Sequence, residues 1–212
     1  MKKLILLTVL IIAANTGFSQ VKDKNADAIL ESVSTKMKAL KTMRIEFTYI
    51  MENTAEKIKE SKSGSIYIEG DKYRLYIADQ LVISDGVTVW TYFKDANEVQ
   101  INDVDPNDDN TPMKMLTAYN KNYKAKLIKE MPKGGKTIQV IDLTPNKTQS
   151  YFKLRLEIDK LAKTVVNSTI YDKNGSTYTY VVDKLHENPN IHSSRFSFNK
   201  ADYPGVVITD MR

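Results

Sequence analysis

Residues able to carry out chemistry are few in this 212-residue chain and poorly grouped. His186 and His192 are its two histidines, six apart around Asn188-Pro189-Asn190. That is the spacing of a loop, and there is no cysteine and no H-E-x-x-H pattern to complete a metal site. Asp103, Asp105, Asn107 and Asp109 imitate the start of a calcium loop, but Asp108 stands where the turn needs glycine and Lys114 where the bidentate glutamate belongs. A solvated acidic loop fits better. Gly134-Gly135 lacks phosphate-loop spacing and a following helix pattern, so it reads as a turn, and no G-x-S-x-G elbow occurs. The sequence predicts no catalytic residue, no metal ligand and no cofactor.

What the chain offers instead is apolar surface in strict alternation. Ile45, Phe47, Tyr49 and Met51 share one strand face opposite Arg44, Glu46 and Thr48; Ile66 and Ile68 repeat the pattern, as do Tyr73, Leu75 and Ile77. Either Val89 or Trp90 joins this face, according to register. A packed core and the wall of an apolar cavity share this pattern, so alternation alone leaves both open.

Positioning these faces requires a particular order of elements. Lys2 and Lys3 precede an apolar run from Leu4 to Ala14, and Gly17-Phe18-Ser19 offers small residues at alternate positions. This is an export leader cleaved before Gln20, too short for a membrane span. Residues 1–19 are therefore read as a signal peptide, and residues 20–212 as one domain. Without cysteine, that domain has neither disulfides nor a lipidated N-terminus and must hold together by its core. The formal charge of +5 falls once the leader lysines leave, and it is spread along the chain, so neither nucleic acid nor an anionic surface is implied.

A helix comes first, with Ala26, Ile29, Leu30, Val33, Met37 and Leu40 as its apolar stripe and Asp23 or Asn25 as its cap. About eleven strands follow, closing with Phe196 and Phe198. Val82 to Tyr92 forms a hairpin through Ser84-Asp85-Gly86, where glycine accepts the positive φ of the turn. One insertion breaks the series: Asp105 to Pro112 is a loop, with Thr111 capping and Pro112 opening a short helix that carries Met113, Met115, Leu116 and Tyr119. Methionine suits a lid over flexible chains, because its unbranched thioether repacks at little cost. The expected fold is mainly β with helices (α+β): an incomplete, strongly curved antiparallel barrel covered by an N-terminal helix and a short helical lid.

The order of helix, strands, Ser84-Asp85-Gly86 hairpin with Trp90 and Tyr92, Thr111-Pro112, Leu143-Thr144-Pro145 and the ending Arg195-Phe196-Ser197-Phe198 through Val206, Thr209 and Asp210 resembles the periplasmic outer-membrane lipoprotein carrier (LolA) family. The resemblance covers the whole mature chain and rests on the order of motifs, each of which is weak by itself. It implies a monomeric, non-enzymatic periplasmic chaperone of a Gram-negative bacterium that binds acylated lipoproteins. Such a carrier receives them from an inner-membrane ATP-driven releasing complex and passes them to an outer-membrane acceptor. It also implies that the acyl chains contact Ile45, Phe47, Tyr49, Met51, Ile66, Ile68, Tyr73, Leu75, Ile77, Val89, Trp90, Met113, Met115 and Leu116.

Burying an acyl chain contributes ~0.8 kcal/mol per CH₂, so moving one from bilayer to water costs on the order of 10 kcal/mol, most of which a carrier must replace. One departure stands out. Family carriers often place an arginine after the strand corresponding to Ile66–Ile68, where it latches the lid; here that stretch reads Glu69-Gly70-Asp71-Lys72, and the next arginine, Arg74, alternates away from the apolar face. Two alternatives share the fold: a lipid- or glycolipid-binding sensing module, and an envelope enzyme acting on lipid.

Overall fold

A computed structural model describes residues 23–106, 111–117 and 119–212. The leader assigned to residues 1–19, and Asn107, Asp108 and Asp109 of the acidic loop, lie outside them. The apolar stripe of the first segment folds as helix α1 (Lys24–Ala39), with Ala26, Leu30, Val33 and Met37 buried. Asp23 is the cap: one carboxylate oxygen accepts the backbone N–H groups of Asn25 and Ala26, both at 3.1 Å. Its other oxygen accepts the Leu127 N–H at 2.9 Å, which pins the start of the helix to the sheet.

The alternating segments form one sheet of twelve strands: β1 (Met43–Asn53), β2 (Ile58–Glu69), β3 (Lys72–Ile77), β4 (Gln80–Ser84), β5 (Thr88–Phe93), β6 (Glu98–Asp103), β7 (Tyr123–Lys133), β8 (Lys136–Pro145), β9 (Tyr151–Asp159), β10 (Thr164–Asp172), β11 (Ser176–Glu187) and β12 (Val207–Asp210). Their spatial order is β12-β6-β5-β4-β3-β2-β1-β11-β10-β9-β8-β7. The sheet is strongly curved, and β7 and β12 remain its two edges, so the barrel stays open. A register shift at Glu46/Phe47 marks a bulge, a device that bends and twists a strand locally.

Two expectations about the end of the chain are corrected. Phe196 and Phe198 form no strand: Ser193–Phe196 is a 3₁₀ turn, capped by the His192 ring, whose Nδ1 accepts the Ser194 N–H at 3.3 Å. The last strand comes later, at β12, and it runs parallel to β6, where the sequence suggested an all-antiparallel sheet. A long return from β11 over the sheet permits this pairing, whereas a tight hairpin imposes the antiparallel one. His186 lies at the end of β11, opposite Arg44, and the loop around Asn188-Pro189-Asn190 separates it from His192.

The two faces of the sheet are packed differently. On the concave face, α1 buries its stripe against Met43, Ile45, Phe47, Ile66, Ile68, Ile141, Leu143, Leu156 and Ile158. On the convex face of β3–β6, the C-terminal segment makes a second, smaller cluster. Ile83, Val99 and Phe196 are buried there, the Tyr203 ring stacks on Phe198, and it tilts against Tyr92.

Candidate functional site: an apolar hollow under a helical lid

Strand register decides which side chains look into the hollow, because directly paired residues project from the same face. Ile45 pairs with Ile66, and Ile66 with Leu75. Leu75 pairs with Val82, while Tyr73 pairs with Ser84 and Ser84 with Val89. One continuous inward face therefore holds Ile45, Phe47, Tyr49, Met51, Ile66, Ile68, Tyr73, Leu75, Ile77 and Val89. All were expected there.

Trp90 was not resolved by alternation, and the register now places it. It pairs with Ile83 and Ile101, which puts it on the convex face. Val89 takes the inward place.

The lid is divided in two: α2 (Pro112–Thr117) and α3 (Tyr119–Asn122). Pro112 opens α2 as expected, and the carbonyl of Thr111 accepts the Met115 N–H at 2.9 Å. Met113 and Leu116, three residues apart, pack on the inner cluster, and Tyr119 is buried beside them. Met115 is corrected. It is 50% exposed and turns outward, as helical geometry demands when positions 113 and 116 face in.

Between the lid and β2–β6 lies an open cleft of about 460 Å³, within the range of small-ligand sites. Ile68, Tyr73, Ser84, Val89 and Asn102 form its floor, and Pro112, Met113 and Lys114 its roof. Its outer rim is polar, with Asp71, Asp103 and Asp105. Farther along the inward face, Tyr49, Leu75 and Ile77 are only half-buried, so apolar wall remains beyond the helices. Tyr49 tilts against Tyr180 at 5.3 Å and stacks near Tyr178 at 6.5 Å. Burial raises the phenol pKa of both Tyr49 and Tyr180.

The hollow has walls that were not singled out from sequence. Tyr178, Tyr180 and Val182 of β11 pair with Met51, Tyr49 and Phe47, and Leu154 and Leu156 of β9 continue the same face toward β8. Their alternation was present in the sequence. Gly64 was invisible as a site residue. It faces Phe47 across the β1–β2 pair, and a Cβ there would lie 2.6 Å from the ring's Cε2. Only glycine lets that ring lie flat on the sheet.

Two further features bear on how the lid is held. Arg74 stands on the convex face, as its alternation foretold. It donates to the Arg195 carbonyl at 3.1 Å and to the Tyr203 hydroxyl at 3.3 Å, so it fixes the C-terminal segment. The lid is joined to α1 instead: Ser34 Oγ donates to the Thr117 carbonyl at 2.9 Å. Among the described residues, no group of three His, Cys, Asp or Glu stands close enough to hold a metal ion.

The chain matches known proteins along its length. It is 27% identical over 218 residues to an outer-membrane lipoprotein carrier protein of Histophilus somni (strain 2336), covering 100% of this chain and 99% of that protein. To the protein of the same description from Legionella pneumophila (strain Lens) it is 23% identical over 205 residues, covering 95% and 96%. Among solved structures, an uncharacterized conserved protein from Thermus thermophilus superposes with a TM-score of 0.61 at 12% identity, covering 88% of this chain and 99% of that one, a likeness of fold alone. The family described as "Outer membrane lipoprotein carrier protein LolA" matches residues 38–199. With three quarters of the chain matched, and the curved open sheet, inner hollow and helical cover in place, this protein belongs to the LolA family of lipoprotein carriers.

Proposed function

We propose that this protein is a periplasmic carrier that holds the acyl chains of lipoproteins against the concave face, under α1 and α2, and moves them from the inner to the outer membrane. The observation that carries this reading is the mixture of packing on one face. Ile45, Phe47, Ile66 and Ile68 are buried against α1, whereas Tyr49, Leu75 and Ile77 on the same face are only half-covered. A domain that only needed a core would cover that strip; a carrier needs it free for a ligand. Acyl chains supply the missing apolar contact at ~0.8 kcal/mol per CH₂. Binding and release need two states with different contacts, and a lid of two short helices joined to α1 is the element that can differ between them.

The donor in this scheme is an inner-membrane ATP-driven releasing complex, and the recipient is an outer-membrane acceptor. The leader at residues 1–19 delivers the carrier to the periplasm, where it acts as a monomer without catalysis. Incubating the mature protein with membranes that contain the releasing complex and a labelled triacylated lipoprotein tests the reading. A soluble one-to-one complex is expected. Recovery of phospholipid or glycolipid with no lipoprotein complex would overturn it in favour of a lipid-sensing module.

A further inference from the structure

The two edges of the sheet are finished differently. β7 carries Lys124, Lys126, Lys129 and Lys133 with Pro132, and its outward Leu127 N–H is taken by the Asp23 carboxylate. These are ordinary defences against pairing with another chain. β12 has no lysine and no proline, and its Val207 and Ile208 are 59% and 42% exposed. The bonds to β6 use alternate residues: Val207 N–H donates to the Asn97 carbonyl at 3.0 Å and Met211 N–H to the Ile101 carbonyl at 2.9 Å. In a parallel pair, the residues between them point the other way. The N–H and C=O groups of Ile208 and Asp210 therefore face outward, and among the described residues no strand pairs with that side.

We propose that the outer edge of β12 accepts, by strand addition, the extended stretch of cargo polypeptide that follows the lipid-bearing residue; this rests on the carrier reading above. A strand added at either edge would extend the same sheet whose concave face holds the acyl chains. β7 is blunted, and β12 is open. Val207 and Thr209 pair with Glu98 and Gln100, and through them share the concave face with Thr91 and Val82, so the edge is continuous with the wall that holds the lipid. Main-chain bonds recognise extended backbone irrespective of sequence, and uncharged side chains fit beside the exposed Val207 and Ile208.

Two synthetic probes test the proposal on the mature protein: a tripalmitoylated cysteinyl peptide with a tail of serine, threonine and valine, and the same lipopeptide N-methylated along its tail. The unmethylated probe is expected to bind about tenfold more tightly, corresponding to one or two net hydrogen bonds, and to slow amide exchange at Ile208 and Asp210. Ile208→Pro removes one outward N–H without touching a bond to β6. It should erase the preference while holding the methylated probe as the wild type does; Ile208→Ala should keep the preference. Equal affinities, unprotected amides, or a preference that survives in folded Ile208→Pro would overturn the proposal and leave the carrier reading standing. Failure of both probes to bind would overturn both. A doubled mass in light scattering that Ile208→Pro abolishes would assign the edge to a second copy and so also overturn it. Exchange is read on the wild type, so it decides the matter even if Ile208→Pro does not fold.

Discussion

Ser34 Oγ donates to the carbonyl of Thr117 across 83 residues of sequence, joining the middle of α1 to the last residue of α2. The terminal carbonyls of a helix lack partners within it, and a buried serine on the neighbouring helix supplies one here. It ties the lid to α1 in a chain whose Glu69-Gly70-Asp71-Lys72 stretch has no arginine.

Ser34→Ala should therefore loosen the lid more than the fold. The net loss of one such bond is about 1 kcal/mol, or roughly fivefold in the open-to-closed ratio. Amide exchange in 112–117 is expected to quicken by that factor and bound lipopeptide to dissociate faster, with only a small fall in Tm. Unchanged exchange in the lid would show that packing alone holds it.

Met113 and Met115 separate lid chemistry from surface chemistry. Met113→Asp places a carboxylate over the cleft and should weaken lipopeptide binding on the order of tenfold or more, because a charge facing an apolar ligand is desolvated without a partner. Met115→Asp, on the exposed side, should bind as the wild type does. Equal losses in a titration of the two variants would contradict the orientation of α2 described above.

Gly64→Ala should act on Phe47. The added Cβ would collide with Cζ of its ring, and would lie 2.6 Å from Cε2 and 2.9 Å from the Tyr76 carbonyl, so the ring must swing into the hollow. Overpacking of this kind costs about 1–3 kcal/mol. Chemical denaturation should report that loss, and ligand affinity should fall with it. Truncating the ring as well, in Gly64→Ala/Phe47→Leu, should recover part of the stability.

Acid should destabilise the fold through three aspartates. The Leu127 N–H holds the Asp23 carboxyl below its ordinary range, the Arg155 guanidinium does the same for Asp142, and the Ala162 N–H, then Lys136, for Asp159. Each folded-state value is depressed, so each contribution is complete above the unfolded value of about 3.9 and is lost as pH falls through the folded one. Melting scans are expected to give a Tm insensitive to these groups from neutral pH down to about 5 and falling below about 4. Asp159→Asn should lie below wild type at neutral pH and converge with it in acid.

Much of this protein was written locally. The stripe from Ala26 to Leu40 specifies a helix with one dry side, and the alternation in Ile45 to Met51, and again in Tyr73 to Ile77, specifies strands with one dry face. Gly86, at φ 93, makes the tight turn that its neighbours Ser84 and Asp85 signal. These follow from steric and hydrophobic periods of about 3.6 and 2, which need no partner to be legible. Absence of cysteine also settled, before any fold was known, that a core alone must hold the domain.

What tertiary structure decided are the relations that depend on a partner strand. Trp90 and Val89 are adjacent and both apolar, and only pairing with Ile83 and Ser84 sends one outward and the other to the cleft. Met113 and Met115 are equally apolar, and only the docking of α2 on α1 distinguishes them. Gly64 carries no side-chain signal; its meaning is the Phe47 ring across the strand pair. The parallel return of β12 and the Ser34–Thr117 tie join segments far apart in the chain, where local periodicity has no reach. Sequence by itself determined the elements and their dry faces, because those depend on neighbours a few residues away. Which faces meet, and which strip of apolar wall stays half-covered, was decided only when the curved sheet closed part of the way around its hollow.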